Sequence, residues 1–208
     1  MKLLVATRSA GKQREVRRLL AGGALELLFP EDAGIPPTPA ETLLELGESF
    51  AANARAKAEY FAKQTGLPTV ADDSGLEVLS LGGEPGVRSK RWAGVDGTET
   101  EVDAANNAML LHRLHGAPER KRRARYRCVL ALYRTPRGFP ETFEGSCNGS
   151  ILPEPRGTGG FGYDPLFLSD DLGKTFGEAT PEEKDAVSHR GRAFAALRIA
   201  LIPPGDPS

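Results

Sequence analysis

Five short stretches of this chain carry residue types that could do chemistry. The first is Thr7, Arg8, Ser9, Ala10, Gly11 and Lys12, set between an apolar run and a helical pattern. A turn placed there can aim backbone N–H groups, the positive end of a helix and the Lys12 ammonium at a phosphate. It lacks the first glycine and the Ser or Thr after lysine that define a Walker A loop, so an ordinary surface turn with a solvated Lys12 stays open. The second is Ala71, Asp72, Asp73, Ser74 and Gly75. Adjacent carboxylates at a strand end point in opposite directions if the strand is regular, so one can face a cleft while the other caps backbone amides. Hard oxygen ligands with few protein partners suit Mg²⁺ shared with substrate phosphates. An Asp-Ser-Gly turn between two strands is the plain alternative.

The third stretch, Gly157 to Pro165, holds four glycines in the six residues 157–162, interleaved with Phe161 and followed by Tyr163 and Asp164. So much glycine costs backbone entropy and asks for a reason, such as close approach of a ligand. Phe161 and Tyr163 could stack on a flat ring, or the segment is a flexible hairpin loop with one aromatic tucked inward. The fourth brings Lys184 together with Ser188, His189, Arg190 and Gly191 near a break between two helices, where Arg190 offers a rigid fork of donors. Those cations could equally complement a helix end. The fifth is the basic run Arg120, Lys121, Arg122, Arg123, Arg125 and Arg127. Such a run can track a nucleic-acid backbone, but it abuts a strand whose alternate positions would expose Arg125 and Arg127 as charges blunting a sheet edge.

The elements that must position these residues follow from apolar periodicity. Residues 2–6 read as a strand, and the pattern after Gly11 places Val16, Leu19 and Leu20 on one helical face. Leu25 to Phe29 reads as a second strand and Pro30 to Pro39 as a loop. Phe50, Ala54, Ala58 and Phe61 line one side of a helix within 47–65, stopped by Gly66. Leu67–Ala71 and Leu76–Leu81 read as strands with the carboxylate pair between them. Thr98 to Leu114 is a helix. Tyr126–Tyr133 and Thr142–Leu152 are strands joined through a turn over 136–140. Thr180, Pro181 and Glu183 fit N-cap, N1 and N3 of a further helix, and Gly191 to Ile202 is helical before a tail that frays from about residue 203. The class is mixed α/β.

With 208 residues, 39% hydrophobic and 26% charged, the chain can bury a sizeable core without staples, and no linker demands a second domain, so 1–208 reads as one domain. Its 27 basic and 28 acidic residues leave a formal charge of −1, which supplies no overall field for nucleic acid or an anionic membrane. Phosphate binding must come from local placement. Four apolar residues after Lys2 are too few for a signal peptide, and no run approaches a membrane span. Cys128 and Cys147 lack metal-ligand spacing, so reduced thiols in a cytoplasm are expected, although one disulfide between neighbouring strands stays possible.

Taken together, TRSAGK at 7–12, ADDSGLEV at 71–78, GGEPGVRSKRWAG at 82–94, GTGGFGYDPLF at 157–167 and EEKDAVSHRG at 183–191 resemble the inosine triphosphate pyrophosphatase family in order and over nearly the whole chain. The resemblance implies an elongated, two-lobed mixed α/β fold with a long curved central sheet flanked by helices, a cleft between the lobes, and a homodimer. It implies Mg²⁺-dependent attack of water on the α-phosphorus of ITP, dITP or XTP, releasing the monophosphate and pyrophosphate. By position, Thr7 to Lys12 would hold phosphates, Asp73 would bind metal and accept a proton, and Ser74 would touch the nucleotide. Phe161, Gly162, Tyr163, Asp164, Lys184, His189 and Arg190 would line the rest of the substrate site, with donors of His189 and Arg190 reading the 6-keto group.

One departure stands out. Where relatives carry two consecutive acidic residues, this chain has Leu44, Glu45 and Leu46, so the second metal carboxylate is assigned to Glu45 in place of Leu44. The E-N-A triplet of relatives reads Ala52, Asn53, Ala54, which keeps the asparagine and loses its acidic neighbour. The competing readings are a related pyrophosphatase for modified pyrimidine nucleotides and a non-catalytic nucleotide- or RNA-binding module.

Overall fold

The computed structural model describes residues 1–22 and 25–201; the frayed tail expected from about 203 lies outside them. The elements are β1 (Lys2–Val5), α1 (Ala10–Leu19), β2 (Glu26–Leu28), α2 (Phe50–Thr65), β3 (Thr69–Val78), α3 (Glu99–Arg113), β4 (Arg123–Tyr133), β5 (Glu141–Ile151), β6 (Phe167–Ser169), α4 (Pro181–Val187) and α5 (His189–Leu201). The strands form one sheet in the order β2-β1-β3-β4-β5-β6. β1 pairs in parallel with β2 and β3, and β5 pairs antiparallel with β6. Mixed α/β is therefore the observed class. No helix of the described residues is long and apolar enough to cross a membrane.

The chain divides into two compact units, one built from 1–73, 128–145 and the chain from Arg190 onward, the other from 74–127 and 146–189. The boundaries fall inside β3, β4 and β5 and at the head of α5, which is why no Pro- or Gly-rich linker marks them in the sequence.

In the first unit the period-two alternation of strands sorts side chains onto two faces. Leu3, Val5, Val70, Cys128, Leu130 and Leu132 pack with Val16 and Leu20 of α1 and Phe194 and Leu197 of α5. Leu4, Ala71, Ala131 and Tyr133 pack on the opposite face with Ala54, Ala58 and Phe61 of α2. The apolar face expected of α2 is thus the buried one, and burying Phe61 alone is worth roughly 1.5–3 kcal/mol. Alanines at 54 and 58 let the helix approach closely. Ser49 caps α2 by accepting the Ala52 N–H, and Gly66 ends it at φ 71°.

β3 corrects the expectation of two strands broken by a turn. It runs unbroken from Thr69 to Val78, so Asp72 and Asp73 sit in mid-strand. Asp-Ser-Gly has turn chemistry, but the strand continues because partners from neighbouring helices compensate both buried carboxylates. Only Leu79–Leu81 turns, as a short 3₁₀ segment.

The second unit packs Leu76, Val78, Leu110, Leu114, Cys147 and Ile151 around an aromatic group. Tyr126 lies 4.7 Å from Phe167 and 6.1 Å from Phe176 between ring centroids. Thr98 and Thr180 cap α3 and α4 in full capping boxes with Glu101 and Glu183, the latter with Pro181 in the first turn as expected. Both cysteines are buried and neither is in a disulfide, so the possible bridge is not formed.

Candidate active site

Strand parity decides where the two carboxylates point. Asp72 follows Val70 onto the α1/α5 face, and Asp73 follows Ala71 onto the α2 face. Asp72 Oδ2 lies 3.0 Å from Lys12 Nζ, and Arg190 donates to it from Nη2 at 3.1 Å and Nε at 3.3 Å. Arg190 Nη1 also donates to Glu15 Oε2 at 2.5 Å. Burial alone would raise the Asp72 pKa, but Lys12, Arg190 and Lys57 hold the carboxyl well below its ordinary range. Burial likewise opposes the Arg190 charge, and Glu15 and Asp72 reverse that.

On the other face, Asp73 Oδ2 accepts from Asn53 Nδ2 at 2.9 Å, and its Oδ1 lies 3.3 Å from Lys57 Nζ. Lys57 also donates to Asp72 O at 2.6 Å and to Glu45 Oε1 at 3.1 Å. Three donors on three oxygens exhaust the ammonium. Burial disfavours the charge on Lys57, yet Asp73, Glu45 and Asp72 keep it charged, with a pKa well above the usual lysine value. Lys57 is not among the residues the sequence analysis singles out. Its signal is the four-residue spacing from Asn53, which puts both on one helix face.

The turn over residues 7–12 is positioned by β1 and α1. Thr7 donates its N–H to Val5 O, and Thr7 Oγ1 accepts the Ser9 N–H. Ser9 occupies the N-cap without a side-chain bond into the helix, and the first turn carries no acidic residue. The leading N–H groups, from Ala10 and Gly11 through Lys12, are therefore left for an anion. Lys12 keeps two ammonium donors beyond its Asp72 contact. Arg8 behaves differently: its guanidinium bonds to Glu41, Glu31 and the Ile35 carbonyl.

The donor set suits a divalent cation. Glu45 and Asp73 converge on the Lys57 ammonium, so two hard carboxylates already face one point of positive charge. Among the described residues no group of three or more His, Cys, Asp or Glu side chains gathers as a metal cage. One or two carboxylates completed by substrate phosphates is the usual arrangement for Mg²⁺, so Glu45 with Asp73 fits it.

In the second unit the glycine loop is built around Asp164. Asp164 Oδ2 accepts the Phe161 N–H at 2.8 Å and lies 2.5 Å from Lys184 Nζ. The same ammonium stands 4.9 Å from the Phe161 ring centroid. Gly162 donates its N–H to Asp103 at 2.6 Å and accepts from Asn107 at 2.9 Å, so α3 holds the loop from behind. Burial raises the Asp103 pKa, against the lowering effect of that Gly162 bond.

The glycines turn out to serve the protein's own packing. A Cβ on Gly157 would strike the Gly177 backbone, and one on Gly160, at φ 73°, would strike the Asp164 carboxylate. The expected pair of stacking aromatics also divides. Phe161 is half-buried, whereas Tyr163 is buried with its hydroxyl on Ser89 O at 2.8 Å. Burial pushes the Tyr163 phenol up, aided by Asp103. Tyr163 therefore anchors the loop and presents no free face. His189 is buried too, its ring stacked on Tyr126 at 4.6 Å and 9°. Ser74 is half-buried on β3.

The basic run is largely internal. Arg122 is buried against the carbonyls of Leu114, Ile151 and Leu152, Arg123 pairs with Asp170, and Arg125 and Arg127 pair with Glu77. Four of its six cations are thus engaged within the protein.

With the geometry in place, the sequence profile of the Ham1 family matches residues 3–200. The chain belongs to the Ham1 family. It is similar to the dITP/XTP pyrophosphatase of Frankia alni, at 48% identity over 97% of each chain. The Geobacter sulfurreducens dITP/XTP pyrophosphatase is 49% identical over 96% of each. Among solved structures, a HAM1 protein from Coxiella burnetii superposes with a TM-score of 0.83 at 37% identity, covering 97% of this chain and 98% of that one. The nucleoside-triphosphatase / dITP/XTP pyrophosphatase of Mycobacterium abscessus gives 0.70 at 46% identity, over 95% and 98%. These Ham1 relatives align along essentially the whole chain, so every one of the five stretches lies within the match.

Proposed function

We propose that this protein hydrolyses non-standard purine nucleoside triphosphates, dITP, XTP and ITP, to the monophosphate and pyrophosphate. The observation that carries the reading is the Glu45–Lys57–Asp73–Asn53 constellation beside the 7–12 turn, in a chain whose relatives are named dITP/XTP pyrophosphatase.

Asp73 is the group that orients and deprotonates water for attack on the α-phosphorus. Asn53 fixes one of its oxygens, and Lys57 faces the other. Charge on the departing pyrophosphate is met by Lys12 and the N–H groups of α1, aimed in advance at low reorganisation cost. Glu45 and Asp73 would hold Mg²⁺, which supplies Lewis-acid neutralisation of phosphate oxygens when bound. Phe161 and Lys184 are further substrate contacts in this reading, with Asp164, Asp103 and Asn107 keeping their loop in place. Arg190 and His189, both buried among protein partners, act by holding Asp72 and Tyr126 in position, so base reading is assigned to the Phe161 loop. A single 1–208 domain acting as a cytoplasmic homodimer completes the reading; light scattering on the purified protein checks the dimer.

The test is a substrate panel with Mg²⁺: dITP, XTP and ITP against ATP, GTP, dUTP and methylated pyrimidine triphosphates. Preferential pyrophosphate release from the first three is expected, with Asp73→Asn losing on the order of 10²- to 10⁴-fold in kcat. Preference for pyrimidines, or near wild-type kcat in that variant, would overturn the reading.

A further inference from the structure

Arg8 lies inside the phosphate turn, yet its side chain is spent on the protein. Nε donates to Glu41 Oε2 at 2.6 Å and Nη2 to Glu41 Oε1 at 2.8 Å, a two-pronged pair. Nη2 also reaches Ile35 O at 3.2 Å, and Nη1 reaches Glu31 Oε1 at 3.0 Å. The guanidinium carbon stands 5.8 Å from the Phe61 ring centroid. Four hydrogen bonds and a ring contact fix a planar fork that has no rotational slack left for a substrate phosphate.

What the fork holds is informative. Glu41 is the N3 residue of a seven-residue 3₁₀ segment, Pro39–Glu45, whose last residue is the metal-facing Glu45. Runs of 3₁₀ helix longer than three or four residues are uncommon because their hydrogen bonds are poor. None of these seven residues is fully buried, so the segment has little apolar burial to hold it. Lys57 holds Glu45 itself at 3.1 Å, and the rest of the segment is tied by polar contacts along it: Glu41 accepts the Thr38 N–H at 3.2 Å, Thr42 Oγ1 donates to Pro39 O at 2.7 Å, Thr38 Oγ1 meets the Tyr60 hydroxyl at 3.0 Å, and Asn53 accepts the Gly47 N–H just beyond it. Against these single contacts the Arg8–Glu41 fork is two-pronged.

We propose that Arg8 is a positioning residue: through Glu41 it fixes the 3₁₀ segment and so sets where the Glu45 carboxylate stands for the metal. This couples the phosphate turn mechanically to the metal carboxylate, and it rests on the reading that Glu45 is a metal ligand.

The test is Mn²⁺ affinity of the full chain without nucleotide, read from the signal of free Mn²⁺ in electron paramagnetic resonance. Wild type is compared with Glu45→Gln, Arg8→Ala, Glu41→Ala and the Arg8→Ala/Glu41→Ala double variant, with Glu41→Gln as a milder form should truncation disturb folding. Glu45→Gln should weaken binding most. Arg8→Ala and Glu41→Ala should each weaken it by about tenfold, the low end for partners that orient a metal ligand. The double variant should lose no more than either single one, because all three remove the same contact. If Glu45→Gln leaves Mn²⁺ affinity unchanged, the metal reading falls and the strut with it. If Glu45→Gln weakens binding but Arg8→Ala and Glu41→Ala do not, the strut alone is overturned. Losses that multiply in the double variant would also overturn it, as would a tenfold rise in KM for dITP at saturating Mn²⁺ in Arg8→Ala that Glu41→Ala does not share.

Discussion

Replacing Asp72 by Asn removes one charge at nearly constant volume from a side chain only 2% exposed. Its Oδ2 is the shared partner of Lys12 and of two Arg190 nitrogens. Breaking a buried pair by deleting one partner costs about 3–5 kcal/mol, because the other charge stays behind. Two features place this site at the low end. Arg190 retains Glu15, and Lys12, at 15% exposure, can turn toward water. We therefore expect a loss of about 3 kcal/mol, which for a chain of this size lowers the melting temperature by roughly 6–12 °C.

The pH dependence supplies an internal check. Because Lys12, Arg190 and Lys57 depress the folded-state pKa of Asp72 despite its burial, its contribution is present above the ordinary carboxylate range and is lost as pH falls through the lower folded-state value. Wild type and Asp72→Asn should therefore differ most near pH 7 and converge below pH 4 in urea titrations followed by circular dichroism. A stability difference under 1 kcal/mol at pH 7, or a gap that stays constant down to pH 3, would refute the ion-paired placement of Asp72.

The glycine loop gives a paired test: Gly160→Ala combines an unfavourable φ with a collision against Asp164, whereas Gly162→Ala meets only the unfavourable φ in open space. Gly162→Ala should cost about 1 kcal/mol by the left-handed penalty alone, and Gly160→Ala should cost more and lower kcat/KM for dITP at least tenfold; equal effects would mean that Asp164 does not pack on Gly160. Cys128, its thiol pushed up to about 12 by burial and the nearby Asp72, should not react with a thiol reagent at pH 8 in the native protein, and urea should release two reactive thiols; fewer would reveal a disulfide.

How far the sequence reached depended on whether a residue's role is set by its own segment. Helices α2 and α4 were legible because Phe50, Ala54, Ala58 and Phe61 share a period and because Thr180, Pro181 and Glu183 form a local cap. The opposite directions of Asp72 and Asp73 followed from strand parity, and the structure keeps them. What escaped was anything decided by a partner distant in sequence. Asp-Ser-Gly looks like a turn until Arg190, 118 residues away, and Lys57 neutralise the carboxylates beside it. Lys57 looks like a solvated helix residue until α2 packs on β3 and turns it onto Asp73. Arg8 and Tyr163 sit in motifs that suggest ligand contact, and nothing in those motifs shows their long-range bonds to Glu41 and to Ser89.

The proposed reaction is tested most directly by hydrolysing dITP in ¹⁸O-labelled water with Mg²⁺ and weighing both products by mass spectrometry. Attack at the α-phosphorus, with Asp73 as the proton acceptor, predicts equimolar dIMP and pyrophosphate with one ¹⁸O in the dIMP and none in the pyrophosphate. Label in the pyrophosphate, or release of dIDP and inorganic phosphate, would contradict it.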